Sequence, residues 1–166
     1  DWKSTVALNL GYQAVRDLVC CEAIGMYHGM AEPDSDWLEI PEREPAGELY
    51  QVLATQLERG IAPHVQDAFA KATAEGAARI ARYLERRHLH GGQADALEHA
   101  GIDALLGTRH RDLASARLAM KHELAQMPPG REPEVLRHLW GVARRNMQLM
   151  EPLVERWSEC RLARLD

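Results

Sequence analysis

The chain has 166 residues, of which 46% are hydrophobic and 27% are charged. These fractions are typical of a single globular domain and exclude disordered and fibrous proteins. Twenty basic residues against 25 acidic ones give a formal net charge of -5, and basic residues cluster no further than pairs such as Arg86-Arg87. Because DNA and RNA binding requires clustered cations, this balance argues against a nucleic-acid partner.

Aromatic residues are few: four Trp, four Tyr and one Phe. A core made mainly of Leu, Ala, Val and Met suits closely packed helices, whereas strands favour β-branched and aromatic residues. No alternating pattern is long enough to predict a strand. We therefore expect an all-α fold, in which residues 1–166 form one helical bundle of four long helices plus a short additional helix.

The first predicted helix covers residues 3–30 and carries apolar residues on two faces. The main face consists of Leu8, Val15, Leu18, Val19 and Met26. The second face consists of Val6, Leu10, Cys21 and Ile24. A helix that is apolar on two faces lies either in the centre of a bundle or at a subunit interface. Together with Trp2, Trp157 and the leucine-rich tail at residues 162–165, the second face favours self-association or docking onto a protein partner.

An irregular connector is expected near residues 32–45, where proline and acidic residues are concentrated. A short helix at residues 46–59 follows, ended by Gly60. Pro63 is then expected to begin a helix that runs to about residue 88 and ends at Gly91-Gly92. The stripes expected to be buried are Leu49, Val52, Leu53 and Leu57 on the short helix, and Ile61, Val65, Phe69, Ala72, Ile80 and Leu84 on the longer one.

The second half of the chain is predicted to contain two further helical regions. Residues 93–127 form either one helix or two helices broken near Gly107-Thr108, and Pro128-Pro129-Gly130 ends this region. Pro133 begins the last helix, in which Pro152 introduces a kink or a break. The apolar stripe of this helix consists of Leu136, Leu139, Trp140, Ala143, Met147 and Met150.

The three cysteines indicate a reducing compartment. Cys20 and Cys21 are adjacent, and neighbours on a helix point about 100° apart, which is poor geometry for a disulfide. An odd number of cysteines without regular spacing is typical of reduced thiols, so we expect a cytoplasmic location. The longest apolar stretch, near residues 23–30, is too short to span a bilayer, and no membrane partner is expected.

The sequence contains no phosphate-binding glycine-rich loop, Cys-x-x-Cys pair, paired-histidine zinc motif or nucleophile elbow, so no catalytic residue is predicted. Glu85 and His88 have the Glu-x-x-His spacing found in helical dimetal sites. At about 100° per residue, however, Glu85 points away from the apolar stripe of its helix, and so do Glu134 and His138 in the last helix. These residues are expected on solvated surfaces, and no metal ligand is predicted.

Two carboxylates occupy positions where the helical period predicts apolar residues. Glu22 falls on the main face of the first helix, and Glu98 falls beside Ala94, Ile102 and Leu105. A buried carboxylate destabilises a protein unless it is paired, hydrogen-bonded or protonated. We therefore expect both side chains to point inward and to meet polar partners.

Arg109 is the candidate partner if residues 93–127 form one helix, and His110 lies at its flank. One interpretation is a buried ion pair that fixes the register of the helices. Another is a polar pocket inside the bundle, formed by Glu22, Glu98, Arg109 and His110, which holds a ligand or a single metal ion. A third is that the helix boundaries differ and these residues are exposed. No particular cofactor is indicated.

Because catalytic signatures are missing, we expect a non-catalytic helical domain that acts through protein–protein contact, as an accessory subunit, adaptor, chaperone or regulator. The alternative is a helical-bundle enzyme or sensor, with a small-molecule or metal site between helices near Glu22 and Glu98. Elemental analysis of the purified protein would discriminate between the two hypotheses, because a stoichiometric metal would favour the alternative and its absence would leave only an organic-ligand version of it.

Overall fold

The computed structural model describes residues 2–33, Leu38 and residues 45–154, with only the backbone described at residues 2–10, 45 and 46. No strand occurs in this part of the chain, so the prediction of an all-α fold is confirmed. In this part of the chain three helices are long and two are short. The expected break at Gly91-Gly92 does not occur, whereas the chain does break at Gly107, which leaves α4 as a second short helix. The five helices are α1 (Trp2–Tyr27), α2 (Pro45–Thr55), α3 (Ala68–Leu106), α4 (Leu113–Ala125) and α5 (Glu132–Val154).

The longest helix, α3, has 39 residues and passes through Gly91-Gly92 without interruption. The prediction that this pair ends a helix is therefore wrong. A glycine inside a helix costs about 1 kcal/mol relative to alanine, an amount that tertiary packing can offset. At Gly91 the missing side chain also leaves room for Arg87, which crosses the glycine and pairs with Asp95 at 2.9 Å.

The start of α3 is set by Asp67, whose carboxylate accepts a hydrogen bond from the backbone N–H of Ala70 at 2.7 Å. This is the usual way to satisfy a free N–H group in the first turn of a helix. Pro63 lies upstream in a separate 3-10 turn, Ala62–His64, so the prediction that it begins the long helix is wrong. Gly60 does not end the helical backbone either, because a π-helical turn, Gln56–Ile61, runs through it.

Several other predicted boundaries agree with the structure, but the expected break at Pro152 does not occur. α3 ends at Gly107, whose φ of 66° is the left-handed conformation that glycine adopts easily after a helix. α4 ends at Ala125, before the Pro128-Pro129-Gly130 segment, and Pro133 is the second residue of α5. Pro152 lies inside α5, which continues to Val154.

α5 is the central helix, with α1 and α3 packed on opposite sides of it. Gly25 of α1 contacts Trp140. Gly101 of α3 contacts His138, which lies on the other side of α5. Both neighbours run antiparallel to α5. The core between α1 and α5 consists of Ala14, Leu18, Cys21, Leu136, Trp140, Ala143, Met147 and Val154.

The two short helices cover opposite ends of α3. α2 packs antiparallel to the first half of α3, through Ala54 of α2 and Ala78 and Ala81 of α3, all of which are buried. Gln51 donates a hydrogen bond to Glu85 across this contact at 2.6 Å. α4 covers the other end of α3, where the core consists of Ile102, Ala116, Met120 and Val135.

Several predicted apolar stripes do not face the core. On α2 and α3 the contact is made by alanines, which allow the helices to approach closely, so the larger residues lie outside it. On α1, Met26 is exposed and Cys21 is buried, so the buried face is turned relative to the predicted one. On α5, four of the six predicted stripe residues are buried. The exposed residues of the α2 and α3 stripes are Leu49, Val52, Leu53, Ile61, Phe69, Ala72, Ile80 and Leu84.

Candidate functional site

Glu22 is buried, as its position in the helical period predicts. Glu22 is only 7% exposed and lies on the face of α1 that contacts α5, next to Cys21. Burial raises the pKa of the Cys21 thiol to about 11, and the negative charges of Asp17, Cys20 and Glu22 add to this increase. The surroundings of Cys21 therefore disfavour a thiolate, and this side chain acts as a packing residue.

Glu98 is paired with Arg117 of α4. The two side chains form two hydrogen bonds, Nε to Oε1 and Nη2 to Oε2, each 2.6 Å long. Arg109, the partner predicted from sequence, is exposed, because α3 ends at Leu106 and the continuous helix that the prediction required does not form. The predicted pairing of Glu98 with Arg109 is wrong, and the Glu98–Arg117 pair joins α3 to α4 instead.

His110 belongs to the loop between α3 and α4 and contacts Asp103. Its Nδ1 lies 2.7 Å from Asp103 Oδ1, and its backbone N–H donates to the same oxygen at 3.2 Å. The hydrogen bond from His110 is the main reason that the pKa of Asp103 is lowered. On the other side, His99 Nε2 lies 3.2 Å from the carbonyl oxygen of His110. These contacts hold the loop against the last turns of α3.

The structure does not bring the four predicted site residues into one pocket. Glu22 lies between α1 and α5, whereas Glu98 lies on α3, on the other side of α5. Arg109 and His110 are in the loop beyond α3. Among the residues that the structure describes, no group of three His, Cys, Asp or Glu side chains could hold a metal ion.

A different polar site lies between α3 and α5. It is an open groove with a volume of about 760 Å³. One side of the groove is polar. It consists of Arg131, which directly precedes α5, and of Glu134, Arg137, His138 and Arg145 of α5. The remaining lining is mainly apolar or small and consists of Pro33, Leu97, Gly101, Ala104, Leu105 and Gly141.

Two glycines make space for the polar side chains of this groove. A methyl group at Gly101 would lie 2.6 Å from His138 Nδ1, so only glycine allows the imidazole to lie directly on α3. A methyl group at Gly141 would lie 3.3 Å from Arg145 Nη1. Arg145 is only 7% exposed, although a guanidinium group remains charged at all ordinary pH values. The groove therefore contains a buried positive charge.

His138 differs from the arginines because its charge is variable. Burial lowers its pKa; the carboxylate of Glu98 acts in the opposite direction, and the charge of Arg145 lowers the pKa further. The imidazole is therefore neutral near pH 7 and can both donate and accept a hydrogen bond. The other charged residues among the described lining of the groove are three arginines and one glutamate.

The sequence prediction missed this groove because it treated the polar face of the last helix as solvated. Glu134 and His138 do point away from the apolar stripe, and Glu134 is 60% exposed, as predicted. His138, however, is covered by α3, where Gly101 lies against its ring. One signal was available: Gly141 and Arg145 continue the same face. A glycine within a charged helical face indicates that something approaches closely there.

Besides the groove, the structure has an exposed apolar stripe on α3, formed by Phe69, Ile80 and Leu84. Their exposed fractions are 58%, 37% and 43%. At about 100° per residue they lie on the same side of the helix as Ala94 and Ile102, which are buried further along. The stripe therefore extends a face of α3 that is a packing surface in its second half.

None of the helices described in this structure is long and apolar enough to cross a membrane. Comparison with known proteins shows no similarity: no family model, no curated protein and no solved structure matches the chain.

Proposed function

We propose that this chain is a non-catalytic helical domain that acts through contact with another protein, in the manner of an adaptor or accessory subunit. The observation that carries the proposal is the α3 stripe of Phe69, Ile80 and Leu84. Large apolar side chains at helical spacing on one exposed face are typical of a surface that a partner covers.

The position of the stripe indicates what kind of partner fits it. In the second half of α3, the same face packs against α5 through Ala94 and Leu149. Towards the first half of α3, the described part of α5 contacts Arg86, which donates a hydrogen bond to the carbonyl oxygen of Gln148 at 2.6 Å and also pairs with Glu151. Tyr83 packs against the cluster that contains Leu149. Because the stripe continues a helix-binding face, we propose that its occupant is an amphipathic helix of a partner protein.

The sequence hypothesis of docking through α1 stays a prediction. Ile24 is 48% exposed, which is compatible with it, but Cys21 of the same predicted face is buried in the core. The side chains of Val6 and Leu10, and all of residues 155–166 including Trp157, lie outside the described residues. The α3 stripe is therefore the better supported docking surface.

The test replaces Ile80 and Leu84 together by lysine. Charges on this face would oppose an apolar partner helix, while the domain keeps its own core because both residues are already partly exposed. The matched control is Leu118→Lys on α4, where an exposed leucine outside the stripe receives the same charge. Circular dichroism checks that the helix content of each variant is unchanged.

Each variant serves as bait in extracts of the source cells, and bound proteins are quantified relative to wild type. The proposal expects at least one protein that binds wild type and the Leu118→Lys control but is lost with the double variant. Equal binding to all three baits, or binding to none, would show that the stripe is not a docking site. Sedimentation at increasing concentration identifies the case in which the occupant is a second copy of this chain.

The groove between α3 and α5 favours a second candidate function, the binding of a small molecule. Helical bundles often build such sites from side chains on facing helices. The domain would then be a ligand sensor, with Arg137 and His138 as the polar groups at the site.

A further inference from the structure

We infer that the groove between α3 and α5 binds a small organic anion, with a carboxylate or phosphate head and a short apolar body. This inference names the ligand class for the second candidate function. It does not depend on the α3 stripe, so either proposal can fail without the other.

The charged residues that line the groove indicate the head group of the ligand. Arg131, Arg137 and Arg145 line the groove, and Glu134 is the one acidic side chain among the lining residues that the structure describes. Arg131 is already engaged, since it donates to the carbonyl oxygen of Leu105 at 2.6 Å and pairs with Glu134. Guanidinium groups hold carboxylates and phosphates through paired hydrogen bonds, so an oxyanion is the complementary ligand.

Arg137 is the arginine most available to a ligand. It is exposed at the edge of the groove and pairs with no acidic side chain in the part of the chain that the structure describes. Arg145 lies deeper and is almost fully buried. Arg145 also already interacts with another group of the protein, so Arg137 is the charge expected to hold an anion at the mouth of the groove.

The apolar residues that line the groove indicate the chemistry of the body of the ligand. Leu97, Ala104 and Leu105 present an apolar surface from α3, opposite the polar side of α5. The volume of about 760 Å³ lies within the range of small-molecule sites, which is roughly 300–1,000 Å³. A ligand with a short aliphatic body would cover this surface while its head group meets the arginines. His138 can hydrogen-bond either to the head or to a hydroxyl group.

The experiment measures binding of hexanoate, hexyl phosphate and hexanamide to the full chain by calorimetry. The acids carry the proposed head groups, and the amide keeps the body but has no charge. We expect saturable binding of at least one acid and none of the amide. Tighter binding of hexanoate or of hexyl phosphate then identifies the natural head group.

Two variants locate the binding to the groove. Arg137→Gln removes an exposed charge without disturbing the core, and it should raise the dissociation constant at least about tenfold, since a hydrogen bond to a charged group is lost. Ala104→Leu fills the apolar side and should abolish binding. Arg111→Gln is the control, because Arg111 is 90% exposed and pairs with the adjacent Asp112.

The inference is overturned if neither acid binds saturably, if the amide binds as well as the acids, or if Arg137→Gln binds like wild type. The Ile80→Lys, Leu84→Lys double variant should bind the acids normally, which separates this result from the docking test.

Discussion

The backbone of Gly25 in α1 lies directly against the indole ring of Trp140 in α5, with no room between them for even a methyl group. Such a contact allows the two helices to approach more closely than larger side chains would permit. Gly25 therefore positions α1 on α5.

Gly25→Ala should destabilise the protein by about 1–3 kcal/mol, because the added methyl group overlaps the Trp140 ring and forces a shift of the core. Alanine has the higher helix propensity, so propensity alone predicts the opposite sign. The free energy of unfolding from urea denaturation decides between these effects. An increase in stability would mean that α1 and α5 do not meet at this contact.

Gly92→Ala is the matched substitution in which nothing opposes the gain in propensity. Gly92 lies inside α3, and apart from its chain neighbours and the nearby helix backbone, no described residue has an atom within 4 Å of the position where its Cβ would be. We expect a stabilisation of about 1 kcal/mol, the usual difference between the two residues in a helix interior. If α3 were broken at Gly91-Gly92, as the sequence rules predicted, alanine there would give no such gain, or would destabilise a turn.

These two glycines show how far the sequence could predict the fold. The helical period and the prolines identify an all-α chain and several boundaries. Glycine, however, has different roles at Gly25, Gly92 and Gly107: a close contact, an ordinary helix position and a helix end. Only tertiary packing distinguishes them. The contact between α2 and α3 was also mispredicted. Its buried residues are alanines, whereas most of the larger apolar residues that were expected in the core lie outside it.

The Glu98–Arg117 pair should contribute modestly to stability. The Arg117 side chain is 56% exposed, so water and salt weaken the attraction, although the geometry is bidentate. A double-mutant cycle with Glu98→Gln and Arg117→Gln should give a coupling energy of about 1 kcal/mol. The Glu98 side chain is only 13% exposed, so a cost of about 3–5 kcal/mol for Glu98→Gln alone, which is typical of a fully buried charge pair, would show that the exposure of Arg117 does not weaken the pair.

The two neighbouring cysteines should react at very different rates. Cys20 is exposed, whereas Cys21 is buried and its pKa is raised to about 11, so almost no thiolate forms near pH 8. In a Cys160→Ser background, a thiol reagent should modify one cysteine rapidly and the second only on unfolding. Cys20→Ser should remove the rapid phase. Rapid labelling in that variant would mean that Cys21 is accessible.

The candidate site was less predictable than the fold, and His138 shows why. Its angle on the helix separates it correctly from the apolar stripe, but a single sequence does not reveal that α5 has neighbours on both sides. The polar face was therefore interpreted as solvated. Glu98 shows the same limit, because its inward angle was recognised while its partner, Arg117, belongs to a different helix from the one expected.

His138 should make the stability of the protein depend on pH. Its pKa in the folded state is lowered, mainly by burial, below the ordinary value of about 6.5. As pH falls through 6.5, the unfolded chain therefore takes up a proton before the folded protein does, and the free energy of unfolding decreases. The decrease ends below the folded pKa, where both states are protonated. Above about pH 7.5 the histidine contributes no slope.

The measurement is the free energy of unfolding from pH 5 to pH 8, compared between wild type and His138→Gln, together with an NMR titration of the imidazole. The variant should lose the part of the slope that lies below pH 6.5, and the imidazole should titrate below its ordinary value. Glu98 opposes the shift and Arg145 supports it, so Glu98→Gln should lower the pKa of His138 further. A pKa at or above 6.5 would show that the imidazole is hydrated, and that α3 does not cover this face of α5.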